Sequence, residues 1–245
     1  MSERKSLRPL GLTQNELPRD LIALPARLLA VQLIENVEPS LAAALGLDPA
    51  RHTSAGLVTC DQDDSLYAAL DHCTKFAEVD VVFARSFYAG AKHASGPLSG
   101  EVLGVVAGAH PDHVREALWA LREGLADGIQ FHTFAGADQP AFFAHVIHET
   151  GRYLAPLAGV APGAPIAYLI APPLEASVAV DAALKAAQVR LAKWMPPPSE
   201  TNFAGAYLSG ELADLEAAAI AFVEAIRAVA KSPLAALRRP ERLRR

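Results

Sequence analysis

An internal repeat constrains this chain more than any other feature of its sequence. Aligned from Ala68 and from Val178, AALDHCTKFAEVDVV and VAVDAALKAAQVRLA place Asp71 on Asp181, Lys75 on Lys185, Ala77 on Ala187 and Val79 on Val189, at an offset of 110. Further on, GVVAGAHPDHVREALWAL from Gly104 aligns with AYLSGELADLEAAAIAFV from Ala206, with Gly108 on Gly210 and Asp112 on Asp214, at an offset of 102. Upstream, LAAALGL from Leu41 echoes LAPLAGV from Leu154. Three segments in the same order mark a duplication of a unit of roughly 100 residues.

Each copy reads as alternating strand and helix. In the first, RLLAVQLIEN is a β-rich run, SLAAALGL a short helix, SAGLVTC a buried strand and SLYAALDHCTKFAEV an Ala-rich helix. The strands VDVVFARSF and GEVLGVVAG follow. PDHVREALWALREGLADG closes the copy as a helix, with Pro111 in its first turn and Gly128 past its end. The second copy runs IQFHTFAG (strand), AFFAHVIHETGRYLAPLAG (helix), IAYLIAP (strand), EASVAVDAALKAAQ (helix), VRLAKWM and NFAGAYLSG (strands), then the long helix LADLEAAAIAFVEAIRAVA. The expected fold class is α+β: two tandem ferredoxin-like sandwiches, each an antiparallel sheet with helices packed on it. The boundaries are an N-terminal extension over 1–20, domains over 21–127 and 128–232, and a basic tail over 233–245.

The two offsets differ by eight residues, all between the middle helix and the strand after the next one. Copy one has RSFYAGAKHASGPLSGE there, a pliable Gly/Ala/Ser-rich loop; copy two has MPPPSETNFAG, stiffened by three consecutive prolines at 196–198. Charge is partitioned too. The tail from Lys231 holds six basic residues and one Glu, and residues 1–20 hold four basic and three acidic ones. The body between carries −11 of the overall −5. An acidic body argues against nucleic acid as the main partner and favours cationic solutes; the tail RRPERLRR reads as a solvated end. No apolar run reaches the 18 or so residues of a spanning helix, and the polar start MSERKSLRPL is not read as a signal peptide, so the expected location is cytoplasmic, without membrane contact. Cys60 and Cys73 lie in apolar-patterned segments and read as buried free thiols rather than a disulfide or a zinc site.

At these residues the chain resembles a known family. A GLV-type strand, then A-A-D-x-x-x-K-A-A-x-V, then a strand ending in Gly before a helix, is similar to the bacterial microcompartment shell domain. The stretches RSFYAGAKHASGPLSGEV, AFFAHVIHETGRYL, AYLIAPPLEASVAVDAALKAA and MPPPSETNFAGAYLSG resemble the tandem-domain shell proteins of ethanolamine-utilising compartments, over roughly residues 20–232. The resemblance implies two circularly permuted shell domains per chain, and a homotrimer that mimics a hexamer and tiles with other shell proteins. Lys75 and Lys185 match the lysine at the hexagon's edge. The segment Phe87, Tyr88, Ala89, Gly90, Ala91, Lys92 and His93 matches the loop that opens or closes the central pore; Lys92 departs from the family's more neutral loop.

Asp63, Asp64, Phe131, Glu175 and Thr201 match the family's smaller pore, where ethanolamine, a cation at neutral pH, would meet carboxylates and an aromatic face. Apart from the resemblance, Asp63, Asp64 and Glu175 read equally well as acids at helix starts.

The resemblance implies a structural pore protein without catalytic residues, metal or cofactor. The alternatives are a shell protein of another type, such as the propanediol-related one, and a small-molecule-sensing regulator built of two ferredoxin-like modules. His145, His148 and Glu149 are expected on one helix without a third ligand. The sequence contains no nucleophile elbow, P-loop or dinucleotide fingerprint.

Overall fold

In a computed structural model of the chain the described residues are 20–87, 100, 102–197 and 202–237. Both copies run through one element order. The first comprises β1 (Leu21–Leu24), β2 (Leu28–Ile34), α1 (Pro39–Ala44), β3 (Ser54–Cys60), α2 (Asp63–Cys73), β4 (Val79–Ser86), β5 (Val102–Gly108) and α3 (Pro111–Ala126). The second comprises β6 (Phe131–Phe134), β7 (Phe143–Ile147), α4 (Leu154–Ala158), β8 (Ile166–Ala171), α5 (Pro173–Ala186), β9 (Val189–Met195), β10 (Ala204–Gly210) and α6 (Leu212–Lys231). The copies build matching four-stranded antiparallel sheets, β2-β3-β5-β4 and β7-β8-β10-β9. Pro111 occupies the first turn of α3, and Gly128, at φ 115°, follows its end in a conformation that costs glycine little.

The repeat is also visible in the small third sheet. β1 and β6, equivalent at the offset of 110, pair antiparallel with Leu21 opposite Phe134 and Leu24 opposite Phe131, so the pair is symmetric in the repeat. Gln62 fixes it to α2: its Nε2 donates to the Leu24 carbonyl at 2.9 Å, and its Oε1 accepts from the Phe131 N–H at 3.4 Å. One sequence match shifts. The buried positions Val114, Ala117 and Leu121 of α3 coincide with Leu215, Ala218 and Phe222 of α6 at an offset of 101, so Asp112 and Asp214 are one position out of register.

The sequence expectation fails over 141–159. That stretch is strand β7, a turn and the short α4, not one long helix, and His145 lies on the strand with His148 and Glu149 in the turn after it. Both faces of β7 are buried, which hides its period of two. Ala144 and Val146 face α6, while Phe143 and Ile147 face the first copy.

That two-sided burial is the organising fact of the fold. One side of the second sheet packs Leu169, Ala206 and Leu208 on the small residues Ala176, Ala179, Ala183 and Ala218 of α5 and α6. The other side, with Phe143, Ile166, Tyr168, Ile170 and Tyr207, joins Leu66 and Leu70 of α2 in one core. Helix α2 is therefore buried on nearly every face. Among the described residues the matching side of the first sheet is covered less fully, with Ala55, Val105 and Ala107 buried. Leu57, Phe83 and Leu103 there are only half-buried, under Ala42, Leu45 and Leu47 from α1 and the turn after it.

Candidate functional site

The seam between the copies begins at the start of α2. Asp63 and Asp64 stand in its first turn, both nearly inaccessible. Asp63 Oδ1 accepts the Asp64 N–H at 2.8 Å. Burial pushes the Asp63 carboxyl above the usual carboxylate range, and hydrogen bonds from the Asp64 backbone and the Ser86 side chain act against that shift. The Tyr168 hydroxyl, on β8 of the other copy, donates to Asp64 Oδ1. The Tyr168 ring meets Tyr207 edge-on at 4.6 Å and Phe143 at 5.1 Å. Burial, followed by the charge of Asp64, holds the Tyr168 phenol far above its ordinary range, so it remains a donor.

These groups line a cavity of about 430 Å³. Tyr67 and the two carboxylates come from α2, Tyr153 from the turn before α4, Tyr168 and Tyr207 from the second sheet, and Lys193 and Trp194 from β9. Tyr67 and Tyr153 approach each other at 6.5 Å between ring centroids.

A second set of contacts on α2 holds this wall in place. The buried Asp71 carboxylate accepts from the backbone N–H groups of Gly151 at 2.6 Å, Tyr153 at 3.1 Å and Leu154 at 2.7 Å. Thr74 Oγ1 accepts the Arg152 N–H at 2.9 Å, and Lys75 Nζ donates to the Glu149 carbonyl at 3.0 Å. Arg152 returns two bonds from Nη2 to the carbonyls of Ala77 and Val79, each at 2.9 Å. Glycine is required at 151, because a Cβ there would lie 2.3 Å from the Asp71 carbonyl oxygen and 2.4 Å from Thr74 Oγ1. Desolvation raises the Asp71 carboxyl's pKa, opposed by its three amide donors.

The sequence-derived site residues fall in different places. Asp63 and Asp64 line the cavity. Phe131 stands one layer behind, its ring 5.4 Å from Phe143, which touches Tyr168 in turn. Glu175 is half-buried in the first turn of α5 and does not line this cavity. Thr201 lies outside the described residues, as do Tyr88, Ala89, Gly90, Ala91, Lys92 and His93 of the loop segment; Phe87, at its start, is 40% exposed. Lys75 engages the seam, whereas Lys185 is exposed and pairs with Asp181 at 2.6 Å. Sequence reasoning missed Asp71 and the aromatic wall. Asp71 carried a signal, since it is one of the matches that reveal the repeat. The tyrosines lie in apolar strands and helices and read as ordinary core.

Three imidazoles cluster, and the charge of Lys75 acts on two of them, His72 and His145. Burial pushes His72 and His132 down to about 4 and His145 to about 3. Nδ1 of His132 and of His145 has no partner among the described residues. No group of three or more His, Cys, Asp or Glu side chains among the described residues is arranged to hold a metal ion. Both cysteines are buried free thiols. No helix among the described residues is long and apolar enough to cross a membrane. The seam offers recognition chemistry for a small cation: carboxylate oxygens, phenol groups and ring faces.

No family model matches the chain. The bacterial microcompartment shell protein EutL of Clostridium perfringens is 49% identical over 206 residues, covering 84% of this chain and 94% of that protein. A monoclinic crystal structure of EutL from the same species superimposes with a TM-score of 0.85 at 46% identity, over 90% of this chain and 100% of that one. The crystal structure of the ethanolamine utilization protein EutL from Leptotrichia buccalis gives 0.83 at 47% identity, over 87% and 98%. With its two matching sheet units and this degree of identity, the chain belongs to the EutL family of bacterial microcompartment shell proteins.

Proposed function

We propose that three copies of the chain close head to tail into a flat disc of a microcompartment shell in the cytoplasm, with six sandwich units around a central pore. The observation carrying this reading is the uneven cover of equivalent faces. Inside the chain, the first copy's α2 seals the far side of the second sheet, while on the matching side of the first sheet Ala55, Val105 and Ala107 are buried but Leu57, Phe83 and Leu103 are only half-buried among the described residues. On α5, the positions equivalent to Asp64 and Ala68 of α2 are Leu174 and Val178, which are 61% and 46% exposed. Repeating the intrachain contact between chains covers both surfaces, and such a heterologous contact closes into a ring when its rotation permits. The units are the segments 21–127 and 128–232. Lys75 and Lys185 then contribute to the edges at which discs tile with other shell proteins.

In this reading the chain's role is structural, with passage of small metabolites such as ethanolamine as its chemistry. The seam cavity serves as a small acidic port. Asp63 and Asp64 attract the ammonium group and the aromatic wall receives it; Phe131 supports that wall, whereas Glu175 stands away from the cavity. The segment Phe87–His93 gates the central pore. Calorimetry with ethanolamine on the full chain tests the port. Heat of binding that falls in Asp64→Asn supports it, and no heat at millimolar ethanolamine removes it. A regulator of the sensing class would instead sediment as a dimer whose stability rises with ligand.

A further inference from the structure

A second cavity, of about 510 Å³, lies where β4 and α3 begin and β5 ends, and it shares no lining residue with the seam cavity. Its charged groups are unequally matched. Asp80 Oδ2 accepts from Arg51 Nη2 at 2.7 Å and from His52 Nε2 at 2.9 Å. His52 Nδ1 accepts the Asp48 N–H at 3.0 Å, which leaves the ring proton on Nε2 for Asp80. Arg152 reaches this cavity from the second copy. Its Nη2 is fixed on the carbonyls of Ala77 and Val79, and among the described residues no carboxylate pairs with it. His113 Nδ1 is buried without a partner among the described residues. An unmet acceptor costs less than an unmet N–H, so the proton rests on Nε2, a donor for the cavity that the ring lines. The His110 ring stands edge-on to it at 5.3 Å.

We propose that this cavity binds the phosphoryl group of a small metabolite, held by Arg152 and His113, with Arg51 and His110 adding donors. The second copy shows the alternative. At the offset of 101 its counterpart of His113 is Asp214, whose Oδ1 accepts the Gln188 N–H at 3.2 Å, and Glu211 replaces His110. At the offset of 110 Arg190 stands where the first copy has Asp80. The second copy thus serves its own backbone at the place where the first copy turns imidazole donors towards a cavity. Asp80 is already matched by Arg51 and His52, which leaves the charge of Arg152 for a ligand. Guanidinium and imidazole N–H groups recognise oxyanions through charge-assisted hydrogen bonds, and a phosphate, with three acceptor oxygens and up to about two charges, uses more of these donors than a planar carboxylate does. Glu78, exposed on the cavity's border, opposes the anion and weakens the site.

The test is a phosphorus NMR titration of inorganic phosphate with the full chain at low ionic strength, where the phosphate line is expected to shift and broaden. His113→Asp installs the second copy's arrangement, so the denaturation midpoint is expected to hold while phosphate affinity falls at least about tenfold. His113→Phe removes the donor without adding a charge and is expected to weaken binding about fivefold. Glu78→Gln, at an exposed position, removes the opposing charge and is expected to tighten binding about twofold. Asp64→Asn, in the seam cavity, is expected to leave phosphate binding unchanged, which separates this site from the proposed port. The inference is overturned if millimolar phosphate gives no response, if either His113 variant binds phosphate as the unaltered chain does, if Glu78→Gln binds no tighter, or if acetate displaces phosphate at equal concentration.

Discussion

Asp71 of α2 and Gly151 of the turn before α4 meet across the seam at 2.6 Å, carboxylate to backbone N–H, with no space for a side chain on the glycine. The contact joins residues 80 apart in sequence and sets where Tyr153 stands in the cavity wall. It is the point at which the duplication becomes a single core.

Gly151→Ala inserts a methyl where backbone and hydroxyl oxygens already stand within 2.4 Å. A loss of about 2–3 kcal/mol in unfolding stability is expected, at the upper end of overpacking costs. Urea denaturation measures it. A loss below about 0.5 kcal/mol would mean that the turn is not clamped on α2.

Asp71→Asn keeps one acceptor oxygen and replaces the other with an amide that clashes with N–H donors. Roughly 2 kcal/mol of stability is expected to go, in line with buried charge-assisted hydrogen bonds. Asp181→Asn, the exposed counterpart, is expected to change stability by less than about 0.5 kcal/mol. Measured side by side, the two substitutions report the asymmetry directly.

Acid is expected to weaken the fold as pH falls below the ordinary histidine range. His132 is buried and its pKa is lowered from 6.5 to about 4; His72 behaves alike, and His145 falls to about 3, facing Lys75, His132, His148 and His72. A histidine whose folded pKa is depressed takes up its proton more readily when unfolded. Stability therefore falls as pH drops below about 6.5 and continues falling towards pH 4. His132 alone accounts for on the order of 3 kcal/mol across that window. The raised carboxyls of Asp63 and Asp71 act oppositely, favouring the fold as they protonate, so they moderate the loss at the acid end. Denaturant midpoints at pH 7, 6 and 5 check the slope, which His132→Phe is expected to flatten.

Asp64→Asn is the cleanest test of the port, because the amide oxygen still accepts from Tyr168 while the charge is gone. Affinity for ethanolamine is expected to drop about tenfold with little change in stability. Tyr168→Phe should do the reverse in part, leaving the charge but removing a buried donor, with a stability cost of about 1–2 kcal/mol. Calorimetry and denaturation on both variants separate the roles.

Much of the fold was legible in the sequence because the repeat reports on local elements twice. Asp71 and Asp181 fall on the equivalent helices α2 and α5, and Gly46 and Gly159, both at positive φ, follow the equivalent helices α1 and α4. What escaped was set by contacts between the copies. β7 reads as a helix because burial on both sides erases its alternation, and the second burying surface is α2, distant in sequence. Asp71 and Asp181 are indistinguishable as residues, yet one is buried under three amides and the other is solvated beside a lysine. Tyr168 could not be assigned to a cavity until its hydroxyl was seen to reach Asp64, 104 residues away. The acids at 63, 64 and 175 show the same limit. All three start helices, but only the α2 pair faces the other copy.

On the proposed head-to-tail reading, chains join by the contact that already joins the two halves of each. Sedimentation equilibrium of the full chain at neutral pH tests it most directly. A single closed species of three times the 25.9 kDa chain mass is expected, reduced to monomer by Val178→Asp. A monomer or a dimer at every concentration, or a trimer indifferent to charge on α5, would contradict it.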